Sequence, residues 1–181
     1  SNDGRPHRIV FSTIYELPFG KGKMLLNNAN RLLNYAVGGW QLAATYEYQP
    51  GPLLNFGNNF YYGNDVNNVA TVNRTFDTWF NTNDFERIAA RGPNSFHRRV
   101  FPTRIDGLRR DKTDQWNANL SKNIKMAERV NLQLRLDAIN VSNRSQMNDP
   151  VTDPFSSNFG RVTSQTSATN RFIQVQMRLS F

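Results

Sequence analysis

Few residues in this 181-residue chain have the types and spacing that chemistry needs. His7 and His97 are the only histidines, and there is no cysteine. Neither imidazole has a carboxylate or a second histidine at metal-ligand spacing, so both read as surface or rim residues. No spacing gathers a Ser, Asp and His into a nucleophile and its base. No enzyme activity and no cofactor are expected. Asp149 and Asp153, in "NDPVTDP", could offer oxygens to a Ca²⁺, but Asp-Pro steps are more simply turn formers. The strongest charge feature is the basic run "RIAARGPNSFHRRVFPTRIDGLRRDK", which carries Arg98, Arg99, Arg104, Arg109 and Arg110. Guanidinium forks suit phosphate and other anions. With a formal charge of +8 and a pI near 10.2, nucleic acid comes to mind. Only Phe96 and Phe101 interleave with the run, amid turn residues, so a solvated basic loop is the simpler reading. Nucleic acid is not an expected partner.

The elements that would position these residues follow from hydropathy. Mean hydropathy is −0.63, and no apolar run approaches the roughly 18 residues of a spanning helix. That excludes helical membrane proteins but not transmembrane β-barrels, whose strands alternate between lipid and lumen. Five segments alternate with a period of two. "RIVFSTIYEL" (8–17) sets Ile9, Phe11, Thr13, Tyr15 and Leu17 against a mixed face. "WQLAATYEYQ" (40–49) sets Trp40, Leu42, Ala44, Tyr46 and Tyr48 against Gln41, Ala43, Thr45, Glu47 and Gln49. In the third (115–124), Trp116, Ala118, Leu120 and Ile124 oppose Asn117, Asn119, Ser121 and Asn123. In the fourth (129–139), Val130, Leu132, Leu134, Leu136 and Ala138 oppose Asn131, Gln133, Arg135 and Asp137. The fifth (171–181) sets Ile173, Val175, Met177, Leu179 and Phe181 against Gln174, Gln176, Arg178 and Ser180. Strands of about 9–11 residues fit a tilted bilayer crossing. The polar faces are rich in Asn, Gln, Ser and Thr, as a wet interior requires. The predicted class is all-β, an antiparallel transmembrane β-barrel segment forming an open sheet.

The connectors differ in length. "KMAER" joins the third and fourth strands, whereas 50–113 and "NRSQMNDPVTDPFSSNFGRVTSQTSATN" are long. Barrels of the outer membrane place short turns in the periplasm and long loops outside. That orientation puts Tyr15, Trp40 and Phe181 near the periplasmic rim and Tyr46, Tyr48 and Trp116 near the outer rim, as two aromatic girdles. Glu16, Glu47, Arg135, Asp137 and Arg178 are the charges on inward faces, as lumen electrostatics or as cross-strand pairs. The Arg98–Arg110 cluster then faces lipopolysaccharide phosphates outside the cell. The connector "PFGKGKMLLNNANRLLNYAVGG" is long for a periplasmic turn. Its Met24, Leu25, Leu32, Leu33 and Val37 predict packing against something or a place at the membrane interface. Asn83 followed by Glu86 predicts a capping box and a short helix over 83–90.

Ordered along the chain, "RPHRIVFSTIYELPFGKGK", "GGWQLAATYEYQPGPLLNFG", "FNTNDF", the stretch from "FPTRIDGLRRDK" to "FGRVTSQ" and the closing "RFIQVQMRLSF" resemble the C-terminal end of TonB-dependent outer-membrane receptors. The nearest resemblance is to the Oar-like group that carries a carboxypeptidase-regulatory-like domain. The resemblance implies a barrel of about twenty-two strands around a plug, with uptake of a scarce nutrient powered by the TonB complex. It also implies that Ile173, Val175, Met177, Leu179 and Phe181 form the signal read by the barrel-assembly machinery. The implied partners are the outer membrane and its lipopolysaccharide, the assembly machinery, the rest of the barrel and plug, and TonB through that plug.

The chain opens on Ser1-Asn2-Asp3-Gly4, with no initiator Met and no signal-like segment, and is expected to be part of a larger barrel wall. Two rivals stay open at this stage. One is a self-contained small outer-membrane barrel with a structural or adhesive role, and the other a soluble β-sandwich binding module.

Overall fold

The computed structural model describes residues 4–70, 73–126, 129–166 and 170–181. Five strands form one antiparallel sheet in chain order: β1 (Ile9–Glu16), β2 (Trp40–Gln49), β3 (Thr113–Lys125), β4 (Asn131–Ile139) and β5 (Phe172–Ser180). Each expected strand forms within a few residues of its predicted bounds. β3 is longer than expected, at 13 residues. The sheet is open, with β1 and β5 as its edges. Among the described residues no helix is long and apolar enough to cross a membrane.

Register turns five separate alternations into two continuous faces. Phe11 opposes Tyr46, and Tyr15 opposes Leu42. Leu120 opposes Leu136, which in turn opposes Val175. Directly opposed residues in an antiparallel pair point to the same side, so these apolar residues form one surface. Asn119, Asp137 and Gln174 line up on the other. A one-residue slip anywhere would mix the two faces. Along the apolar face side chains stay substantially exposed, with Val175 at 74% and Met177 at 75%. A soluble sheet would cover such a surface, whereas lipid satisfies it.

Lys122 breaks the apolar series. It opposes Leu134 on the apolar face, yet it is only 4% exposed. The connector between β1 and β2 explains this. It contains a short helix, α1 (Arg31–Val37), capped at its start by the Asn30 side chain, which accepts from the Leu33 amide at 2.8 Å. The Lys122 ammonium donates to the carbonyls of Ala36 (2.6 Å) and Gly38 (3.1 Å) at the end of α1. It also sits 4.5 Å from the centre of the Trp40 ring. Trp40 Nε1 donates to the same Ala36 carbonyl at 3.1 Å. Helix C-terminal carbonyls carry partial negative charge, and an aromatic face attracts a cation. Together they neutralise a charge on a face that hydrocarbon would penalise. Gly39, at φ +72°, completes the turn into β2, and a Cβ there would collide with the Asn123 carbonyl oxygen.

The chain divides into two compact units. One holds the sheet and its connectors: Ile9–Tyr48, Asp114–Arg144 and Thr169–Phe181. The other gathers Ser1–Arg8, Gln49–Thr113 and Ser145–Ala168. Residues 50–113, expected as a long loop, in fact belong to this folded body. Its core comprises Leu54, Phe56, Val69, Trp79, Phe80, Phe85, Phe101, Ile105, Leu108 and Phe159. Aromatic rings meet edge to face, with Phe56–Phe80 at 5.1 Å and Phe80–Phe159 at 5.2 Å between centroids, an arrangement that adds to simple area burial. Among its described residues regular structure is sparse, limited to 3₁₀ turns at Val66–Ala70 and Ala89–Arg91 and isolated bridges.

The helix expected over 83–90 does not form. Asp84 adopts φ +63°, which breaks a helix, and Phe85 bridges Tyr61 while its ring enters the core. Burial of one aromatic outweighs the local capping signal. Glu86 instead accepts from the Ile88 amide at 2.9 Å, and that bond first, helped by Tyr62 and Arg91, holds its carboxyl below the ordinary range. "GPLLNFG" and the described part of "NVATVNRTF" supply only the Leu53–Arg109 bridge and a 3₁₀ turn; Thr71 and Val72 lie outside the described residues. In the "KMAER" turn, Met126 donates to the Val130 carbonyl at 2.9 Å; Ala127 and Glu128 lie outside the described residues.

The two faces make opposite demands on a charge. Leu136→Arg is expected to destabilise the parent barrel by about 2–4 kcal/mol in lipid, while Gln174→Arg, opposite Asp137, costs little. Urea titrations in lipid vesicles check this, and equal costs for the two variants would refute the facing.

Candidate functional site

The polar face of the sheet brings the predicted inward charges onto one surface. Arg135 Nε lies 3.0 and 2.9 Å from the two Asp137 carboxylate oxygens, and its NH2 group adds a contact of 2.9 Å to Oδ1. Asn119 donates to the same carboxylate at 2.6 Å. β-strand alternation makes this possible, because residues 135 and 137 share a face two positions apart. Glu16, at the end of β1, pairs with Lys23 of the connector at 2.7 Å. Glu47 opposes Val10, and Arg178 opposes Gln133. The surface is therefore polar, hydrogen-bonded and locally balanced.

The expected girdle residues separate into contacts of different kinds. Tyr46 and Trp116 stack across β2 and β3 with centroids 4.5 Å apart and planes 27° apart. Trp40 ties α1 to the sheet as described. Tyr15 and Tyr48 oppose Leu42 and Ile9. The terminal residues Ile173, Val175, Met177, Leu179 and Phe181 are all exposed, the first four aligned along the edge strand β5.

The arginine cluster is mostly committed to its own unit. Arg99 donates to the carbonyls of Phe56, Gly57 and Phe101 at 3.3–3.4 Å. Arg104 donates to Asn55 at 2.8 Å, and Arg109 to the Gly4 and Gly51 carbonyls at 2.7 and 3.1 Å. Arg110 pairs with Asp149 at 2.9 Å. Among the described residues Arg98 makes no such contact. These guanidiniums act chiefly as struts for loops that lack a backbone ladder. The histidines also sit apart, with His97 packed edge-on against Phe60 at 4.8 Å. Among the described residues no three His, Cys, Asp or Glu side chains gather as metal ligands. Asp149 is taken by Arg110, and Asp153 accepts from the Phe155 amide at 3.0 Å in a turn.

Arg110 and Asp149 instead border a polar cleft of about 520 Å³, together with Arg5, Asp111, Asn148 and Thr166. Asp111 accepts from the Met147 amide at 2.8 Å, and Thr166 donates to Asn148 at 2.8 Å. Arg110 Nε is buried with no hydrogen-bond partner. Such a lining can hold a polar solute through hydrogen bonds. No sequence motif announces it, because its residues come from five separated stretches.

Compared with known families, residues 1–174 match the model described as an outer membrane beta barrel domain. The chain belongs to that family. No curated protein and no solved structure gives a match. As an outer membrane β-barrel domain, the protein resides in the outer membrane, with its apolar face toward lipid. The soluble β-sandwich rival is thereby set aside.

The loop unit of this β-barrel domain should depend on its aromatic core and little on its surface ion pair. Phe80→Ala, at a fully buried position, is expected to cost that unit about 3–5 kcal/mol. Asp149→Asn, which breaks a half-exposed pair, should cost less than about 1 kcal/mol. Rates of limited proteolysis within 50–113, measured on the folded parent protein in detergent, report both.

Proposed function

We propose that this chain forms part of the wall and the outward loops of a TonB-dependent outer-membrane transporter or receptor, not an enzyme. The observation that carries the reading is the open sheet of five strands with two unpaired edges. Single-chain bacterial barrels have an even number of strands, and long free edges invite association. Further strands beyond β1 and β5 would satisfy both. The wet polar face suits contact with a plug, and the folded loop unit with its polar cleft suits capture of solute outside the cell. The resemblance to TonB-dependent receptors supplies the energy source, the plug and the assembly machinery as partners.

The rival is a small barrel closed by these strands alone. A cysteine pair separates the two. In the parent protein, Leu136→Cys with Val175→Cys should cross-link, because these residues oppose each other on β4 and β5. Thr13→Cys with Val175→Cys, on the two edge strands, should not. A cross-link between the edges would favour the small barrel. For the transport reading, the full parent chain should co-purify with the periplasmic domain of TonB, and failure to do so would sink it.

A further inference from the structure

The walls of the polar cleft in the loop unit are tied in place by the protein's own hydrogen bonds. Residues 146–148 run beside 164–166, joined by the Met147–Gln165 bridge. The Thr166 amide donates to the Gln146 carbonyl at 2.8 Å, and the Asn148 amide to the Ser164 carbonyl at 3.1 Å. Asp111 reaches across to accept from the Met147 amide, and the Arg110 amide donates to the Pro52 carbonyl at 2.9 Å. The Asn148 side chain is held at both its atoms, donating to Ser164 Oγ and accepting from Thr166, each at 2.8 Å. A site built in advance loses little affinity to ordering.

The rim is balanced in charge, with Arg5 and Arg110 set against Asp111 and Asp149. Arg5 is exposed and donates to Gln49 Oε1 at 3.0 Å. Asp149 is 47% exposed while paired with Arg110, and a carboxylate offers about four acceptor positions. An anion entering here would meet two aspartates, and a cation would meet two arginines. A hydroxyl both donates and accepts, so it can bridge a carboxylate and a guanidinium with no repulsion from either. Pro52 and Met147 are the apolar side chains of the described lining, too little surface to hold a flat apolar ligand. Arg110 Nε is buried without a partner. Such a donor costs stability and asks for an explanation, which a site kept for a ligand supplies.

We propose that this cleft binds a short, uncharged oligosaccharide. Asp149 and Arg5 hydrogen-bond its hydroxyls across the opening, and the second amide hydrogen of Asn148 adds a donor from the wall. The volume of about 520 Å³ lies within the roughly 300–1,000 Å³ of small-ligand sites. The inference rests on the capture role proposed for the loop unit and names the class of its solute. Binding is measured without TonB, and co-purification with TonB involves no sugar, so the two readings fail separately.

The parent protein, purified in lauryldimethylamine oxide (a detergent with no sugar of its own), is applied to an array of neutral, uronate-bearing and amino-sugar oligosaccharides. Neutral oligosaccharides should be retained. Calorimetric titration with the best of them should give the same affinity at low and high salt, since no net charge is being screened. Asp149→Asn and Arg5→Gln should each weaken binding by about tenfold, with proteolysis within 50–113 unchanged to show that the unit stays folded. Arg98→Ala, outside the cleft, should bind as the wild type does. Retention of no neutral oligosaccharide would overturn the proposal. So would unchanged affinity in both cleft variants, which would move the sugar elsewhere on the protein. Retention of uronate-bearing glycans alone, lost at high salt, would also overturn it and assign the cleft to an anion.

Discussion

A peptide group inside hydrocarbon has no water to bond with, and this constraint orders everything in the sheet. Each N–H and C=O at that depth must find a partner within the protein. The ladders between β1 and β2, β3 and β4, and β4 and β5 meet the requirement over most of their length. Once the ladders are fixed, side chains have only two directions. One direction meets lipid and selects Phe, Leu, Val and Met. The other meets water and selects Asn, Gln, Ser and paired charges. The faces follow from the backbone's need, and the register is what preserves them.

Lys122 shows how the constraint is relaxed at one point. Its parity places a cation among leucines, where an uncompensated charge would be costly. The carbonyl end of α1 and the Trp40 ring supply the counter-charge. The connector between β1 and β2 is consequently more than a turn, since it neutralises a residue belonging to a different hairpin. The Glu16–Lys23 pair fixes the same connector to the polar side, so it is held at both faces of the sheet.

The strands were legible because alternation repeats over nine or ten residues and each repetition tests the last. That Arg135 and Asp137 share the polar face could be read from parity alone. Lys122 could not, since its type contradicts its position and only the distant Ala36 and Gly38 carbonyls resolve the conflict. The loop core was illegible for a different reason. Phe56, Phe80, Phe101 and Phe159 follow no period, and they meet because the connecting chain folds back. The helix expected over 83–90 failed on the same account, as Phe85 was claimed by that core. The arginines looked like a free basic surface because composition records charge but not the carbonyls that absorb it. The polar cleft, assembled from Arg5, Arg110, Asn148 and Thr166, has no local signature at all.

The composition of the loop unit sets an order of events in the making of the protein. Phe159 packs on Phe80 and Phe85, yet β3 and β4 lie between them in the chain. The aromatic cluster therefore stays incomplete until both of those strands have been synthesised and the segment after β4 has followed. Such a contact between remote stretches carries a large closure entropy and forms late. The 50–113 stretch is therefore completed from outside itself, since the ring that closes its core is supplied by the segment that follows β4.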